Sequence, residues 1–218
     1  MNTVSSACIA TVLLLVTMTS DQAAHVRIIA LGDSTTAGTP GFYSPLEEPP
    51  NGRGDETSQY AYWLMKAHPG WTVLNRGVNG ERSDQIRARF ERDVIQPAPA
   101  AVVVIAGVND VYQGRHVEHV TEQLHAMYVR AAEARILVVA GSIVPYNTAT
   151  GDENARMRQI NDWIRRQPDI VFVDTRSAVA ASDNPDRLFE SPDGLHPSAA
   201  GYRRMADAIG LALESRLR

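Results

Sequence analysis

Residues of the types that acyl transfer requires lie far apart along the chain. Ser34 stands in LGDSTTAG, directly after the apolar run VRIIA, and a serine hydroxyl becomes a nucleophile once a neighbouring base takes its proton. Asp193 and His196 stand three residues apart in SPDGLHPSAAGY, near the end of the chain. A tight turn at Gly194, stiffened by Pro197, would let Asp193 hold the Nδ1–H of His196 while Nε2 faces Ser34. Asn109 in GVND and the glycines of NRGVNGERS, Gly77 and Gly80, offer a side-chain amide and backbone N–H groups. Together with the N–H of Ser34, these could stabilise a developing oxyanion. Alone, GDS reads equally well as a polar turn where a strand ends. The chemical reading therefore depends on elements that bring these distant residues together.

The hydrophobic pattern supplies such elements. From His25 onward, short apolar runs alternate with longer segments of helical period: strands are expected at 26–31, 71–74, 101–106, 135–140 and 170–173. Their runs lack polar alternation, as expected of strands buried on both faces of a parallel sheet. Helices are expected at 58–67, 83–95, 117–134 and 154–167, with a last one from 198 to the C-terminus. The alternation predicts a doubly wound, mainly parallel five-stranded α/β sheet in three layers, flavodoxin-like in strand order. In such a sheet, ligands bind beyond the carboxyl ends of the strands where the order reverses. The loops holding Ser34, the two glycines and Asn109 then surround one crevice.

Composition narrows the function. At 218 residues and 44% hydrophobic, the chain can bury one sizeable core. Its net charge of −4 and absence of basic clusters argue against nucleic acid or an anionic membrane surface as partner. The single cysteine, Cys8, excludes an internal disulfide and a cysteine-based zinc site. His116 and His119 lie near Glu118 and Glu122, but no H-E-x-x-H pattern accompanies them. They are expected on a solvated helix face, so neither a metal nor a cofactor is predicted. Asp33 and Asp110 are expected to brace loops by accepting hydrogen bonds.

These blocks together resemble the SGNH (GDSL) hydrolase superfamily of serine esterases and lipases. Gly32-Asp33-Ser34, the turn ending at Gly80, Asn109 in GVND and Asp193-Gly194-Leu195-His196 match its motifs in order, from about Val26 to Tyr202. The resemblance implies Ser34, Asp193 and His196 as catalytic triad, and Ser34, Gly80 and Asn109 as oxyanion hole; it selects Gly80 over Gly77. It implies hydrolysis of a small-molecule carboxylic ester, with lysophospholipids and acetylated carbohydrates among the substrates to consider. An acyltransferase using the same triad is the alternative, and a non-catalytic ligand-binding module is a more distant one. An ordinary α/β-hydrolase elbow would need glycine at position 36, where Thr36 stands. GDSTTAG also lacks the G-K-[ST] ending of a nucleotide-binding P-loop.

Two segments stand apart from this pattern. Residues 39–57, rich in proline and glycine, leave the first strand just after Ser34 and are longer than the linker of the smaller family members. Their Phe42, Tyr43 and Leu46 are expected to form one wall of the substrate pocket. Residues 7–18, ACIATVLLLVTM, have the length of a signal-peptide h-region rather than a bilayer span. Residues 1–24 are thus read as a signal peptide or N-terminal apolar segment, and 25–218 as the hydrolase domain. The expectation is export to the periplasm or medium, with no stable membrane partner beyond that segment. An overlong start would instead leave the protein cytoplasmic.

Overall fold

The computed structural model describes residues 25–217; the proposed signal segment lies outside them. Five parallel strands form the central sheet: β1 (Val26–Gly32), β4 (Trp71–Gly77), β5 (Ala101–Ile105), β6 (Leu137–Gly141) and β7 (Val171–Val173), in the order β4-β1-β5-β6-β7. A separate two-stranded antiparallel hairpin, β2 (Phe42–Tyr43) with β3 (Arg53–Gly54), lies within the insert that follows β1.

The apolar runs alternate their side chains between two cores, as period-two geometry requires. Ile29, Leu31, Val102 and Val104 face Ile86 of α3 (Ser83–Ala88), Leu124 and Met127 of α5 (Val117–Glu133) and Met157 and Ile160 of α6 (Gly151–Arg165). On the other face, Ile28, Ala30, Val103 and Ile105 meet Tyr60 and Leu64 of α2 (Tyr60–Ala67) and Tyr202, Met205 and Ile209 of α8 (Ala199–Glu214). Local signals set the helix starts. Thr150 and Glu153 form a reciprocal capping box on α6, and the Ser198 hydroxyl accepts from the Gly201 N–H to cap α8. Among the described residues, no helix is long and apolar enough to cross a membrane.

Two boundaries depart from the periodicity. β4 continues through the polar Asn75 and Arg76 to Gly77. Asn75 is buried there because its amide donates to the Ala37 carbonyl (3.0 Å) and the Gln59 side chain (2.7 Å), partners remote in sequence. The helix expected over 83–95 ends after Ala88 and gives way to a π-helical turn at Glu91–Ile95.

The register explains why one end of the sheet can host chemistry. Gly32 closes β1 between Gly77 on β4 and Ile105 on β5. The turns leaving these three strands therefore begin side by side.

Candidate active site

Ser34 opens a one-turn helix, α1 (Ser34–Ala37), immediately beyond β1. Asp33 caps it, its Oδ1 accepting from the Thr35 N–H at 2.9 Å, and Gly38 ends it in the left-handed conformation with φ +110°. This sharp strand-to-helix turn lifts the Ser34 hydroxyl to the sheet's carboxyl edge. There His196 Nε2 lies 2.9 Å from Ser34 Oγ, and His196 Nδ1 lies 2.7 Å from Asp193 Oδ2.

The turn holding Asp193 and His196 is built from its own hydrogen bonds. Asp193 Oδ1 accepts from the backbone N–H groups of Leu195 and His196, both at 2.9 Å. Ser191 Oγ accepts from the Gly194 N–H at 2.8 Å and donates to the His196 carbonyl at 2.7 Å. Gly194 occupies φ +78°, where a side chain would be strained. Burial works to raise the Asp193 pKa, but the hydrogen bonds from the His196 ring and the two backbone amides prevail and hold it below the usual carboxylate value. An ionised Asp193 favours the imidazole tautomer with Nδ1 protonated, which leaves Nε2 as a hydrogen-bond acceptor facing the Ser34 hydroxyl.

On the opposite side, the N–H groups of Ser34 and Gly80 make no hydrogen bond among the described residues. Gly80 adopts φ +74°, which turns the loop after β4 toward the cavity. Asn109 lies on α4 (Val108–Tyr112), and its Nδ2 donates to the Glu81 carbonyl at 2.9 Å. Asp110 faces inward from the same helix. Its two oxygens accept from the Ser83 N–H and hydroxyl, each at 2.8 Å, so it joins the Asn109 segment to the Gly80 loop. Asp33 and Asp110 thus both act as loop braces. Gly77 ends β4 beside the Ala37 backbone, which leaves no room for a Cβ.

Ser34, Gly80, Asn109 and His196 line one cavity of about 330 Å³. Its apolar wall comes from Val108, Tyr112, Tyr146 and Leu195, with Tyr112 and Tyr146 edge-to-face at a centroid distance of 6.0 Å.

The insert of residues 39–57 corrects the expected wall. Only Thr39 of that segment lines the cavity. Phe42 is buried beside Gly52 and borders a different cavity with Pro45 and Tyr62. Tyr43 is exposed, with the Arg53 guanidinium 5.4 Å from its ring centroid, and Leu46 lines neither space. The reason is the hairpin, which folds the insert back on itself. The insert instead grips the Gly80 turn: Ser44 Oγ donates to the Gly77 carbonyl (2.6 Å), Glu47 accepts from the Asn79 N–H (2.9 Å), and the Thr39 hydroxyl donates to the Asn79 side chain.

His119 also differs from expectation. His116 is exposed, but His119 Nε2 is buried and close to Asp84 and Asp110, the ligand-type atoms of all three lying within 4.8 Å of one another. The carboxylates already serve protein donors, Asp110 with Ser83 and Asp84 with Arg82.

Sequence reasoning missed Ser191 and Tyr112, though both had local signals. Ser191 lies two residues before Asp193, at turn spacing. Tyr112 lies three residues after Asn109, on the same face of a helical turn. Tyr146 and Asn147 had no such signal; the Asn147 N–H donates to the Gly194 carbonyl at 2.7 Å across the chain.

Comparisons with known proteins identify the family and the fold. The GDSL-like lipase/acylhydrolase family matches residues 30–204. An acetylxylan esterase from Geobacillus stearothermophilus is 28% identical over 170 residues, covering 69% of this chain and 77% of its own. A multidomain esterase from Ruminococcus flavefaciens is 22% identical over 222 residues, covering 85% of this chain but 28% of its own length. The structure of a lipolytic G-D-S-L protein from Desulfitobacterium hafniense superposes with TM-score 0.71 at 22% identity, covering 86% of this chain and 99% of its own. A variant of an acetyl-xylooligosaccharide esterase from Geobacillus stearothermophilus superposes with TM-score 0.68 at 23% identity, covering 87% and 94%. With the family match spanning most of the chain, this chain belongs to the GDSL-like lipase/acylhydrolase family and is a hydrolase acting on esters.

Proposed function

We propose that this esterase works through an acyl-enzyme on Ser34. The observation that carries the reading is the contact from His196 Nε2 to Ser34 Oγ, 2.9 Å, backed by Asp193. Ser34 Oγ attacks the ester carbonyl carbon while His196 takes its proton. Charge then builds on the carbonyl oxygen, which the N–H groups of Ser34 and Gly80 and the Asn109 amide receive. As the intermediate collapses, His196 returns the proton to the departing alcohol oxygen. A water, deprotonated by His196, attacks the acyl carbon and releases the acid and free Ser34. Asp193 keeps the imidazole oriented and stabilises its charged form. No step calls on a metal or cofactor.

For the substrate, we propose small acyl esters of carbohydrates, acetyl esters foremost. The acetylxylan esterase relative supports this. So does Tyr112, an aromatic side chain 64% exposed at the rim of the cavity, where a ring can stack on the apolar face of a sugar. An export signal in residues 1–24 would place the enzyme where such polymers occur.

The test is a panel of p-nitrophenyl esters of increasing chain length, acetylated xylo-oligosaccharides and lysophospholipids, with Ser34→Ala as control. The variant should fold and lose roughly four to six orders of magnitude in kcat. Highest kcat/KM on the acetylated sugars is expected. Preference for long acyl chains or lysophospholipids would overturn the carbohydrate assignment, and a folded, active Ser34→Ala would overturn the mechanism. Transfer of the acyl group to an added alcohol in preference to water would make the enzyme an acyltransferase.

A further inference from the structure

Arg89 lies at the end of α3 with its side chain only 8% exposed. Its guanidinium spends each nitrogen on a different partner. Nε donates to Glu81 at 2.7 Å, one terminal nitrogen to Asp93 at 2.8 Å, and the other to the Gly32 carbonyl at 2.9 Å. Two of these partners adjoin the candidate active site. Gly32 is the last residue of β1, two positions before Ser34, and its carbonyl also receives the Val78 N–H at 3.2 Å. Glu81 directly follows Gly80, and its own carbonyl receives the Asn109 amide.

We infer that Arg89 is a positioning residue that sets the register of the oxyanion hole by clamping the turn carrying Ser34 to the loop carrying Gly80. The inference rests on the proposed reading of Ser34, Gly80 and Asn109 as the reacting site. The three oxyanion donors come from three separate loops, and small displacements among them would misalign donors that must converge on one oxygen. A planar fork held at three points resists sliding between the loops, because both loop partners are fixed relative to one rigid group. Asp93 anchors that fork from the far side and is itself held by the exposed Arg92. Arg92 makes its hydrogen bonds to Asp93 and none to Gly32 or Glu81 among the described residues, which makes it the control.

The test compares Arg89→Lys, Glu81→Gln and Arg92→Gln on p-nitrophenyl acetate, together with the rate at which a small fluorophosphonate labels the enzyme. Lysine keeps the charge but cannot hold Gly32 and Glu81 in one plane. In Arg89→Lys, kcat should fall by roughly 10- to 100-fold with KM within about twofold, a part of the loss caused by deleting an oxyanion donor outright. Labelling should slow in parallel. Glu81→Gln should show a smaller loss of the same kind, and Arg92→Gln should stay within about twofold of the parent in kcat. A folded Arg89→Lys with unchanged kcat, a loss carried wholly by KM, or an equal loss in Arg92→Gln would overturn the inference. Should Arg89→Lys fail to fold, Glu81→Gln decides: an unchanged kcat there overturns it. Mapping the label separates two failures. Fluorophosphonate on a residue other than Ser34 overturns the site reading and this inference with it, whereas Ser34 labelled at an unchanged rate in Arg89→Lys overturns only the role of Arg89.

Discussion

The side-chain amide of Asn109 is anchored by one N–H to the carbonyl of Glu81, at 2.9 Å. Because the amide group is planar, fixing one N–H also fixes the direction of the other, and Asn109 lines the cavity beside Ser34. The arrangement matches a donor set in place before the substrate arrives.

Asn109→Ala should therefore lower kcat by about 10²- to 10³-fold while KM changes little, the usual loss for one preorganised donor. Steady-state kinetics on p-nitrophenyl acetate check it. A rise in KM at constant kcat would identify Asn109 as a ground-state binding residue.

Asp33 should make stability fall as pH rises. Burial pushes its pKa from 3.8 up to about 7, against the hydrogen bonds from Thr35, and its Oδ2 has no partner among the described residues. Between those two values the folded protein holds a proton that the unfolded chain has released. Folding is then progressively penalised, by up to about 4 kcal/mol above the upper value. Asp33→Asn keeps an acceptor for the Thr35 N–H without a charge. Urea unfolding should find it close to the parent near pH 4 and more stable near pH 8; parallel profiles for the two proteins would refute the assignment.

Tyr112 should influence which ester is preferred without touching the chemistry. Its side chain is 64% exposed, so Tyr112→Ala should fold normally. We expect KM for acetylated xylo-oligosaccharides to rise about 2- to 10-fold, the scale of losing an aromatic contact, with p-nitrophenyl acetate turnover nearly unchanged. Equal effects on both substrates would remove Tyr112 from the sugar contact.

How far the sequence could be read depended on the range of the interaction. All five central strands and the main helices were legible because an apolar run and a helical period are both local patterns. Ser34, Gly80 and Asn109 were legible as neighbours because a parallel sheet aligns the carboxyl ends of its strands. Even the pairing of His196 with Asp193 was, since both lie on one short turn.

The amino-acid order by itself thus determined which residues of the chain carry the types that ester chemistry needs, and that the sheet would present them at one edge. Tertiary structure decided what surrounds them. Phe42 and Tyr43 looked like a pocket wall because they follow Ser34 closely, but the β2–β3 hairpin turned them away, and Val108, Tyr112, Tyr146 and Leu195 took that place. Glu47 reaches Asn79 across 32 positions and Arg89 reaches Gly32 across 57. Neither contact leaves a periodic trace, because a hydrogen bond between distant loops depends on the path of the backbone between them and not on the residues beside either partner.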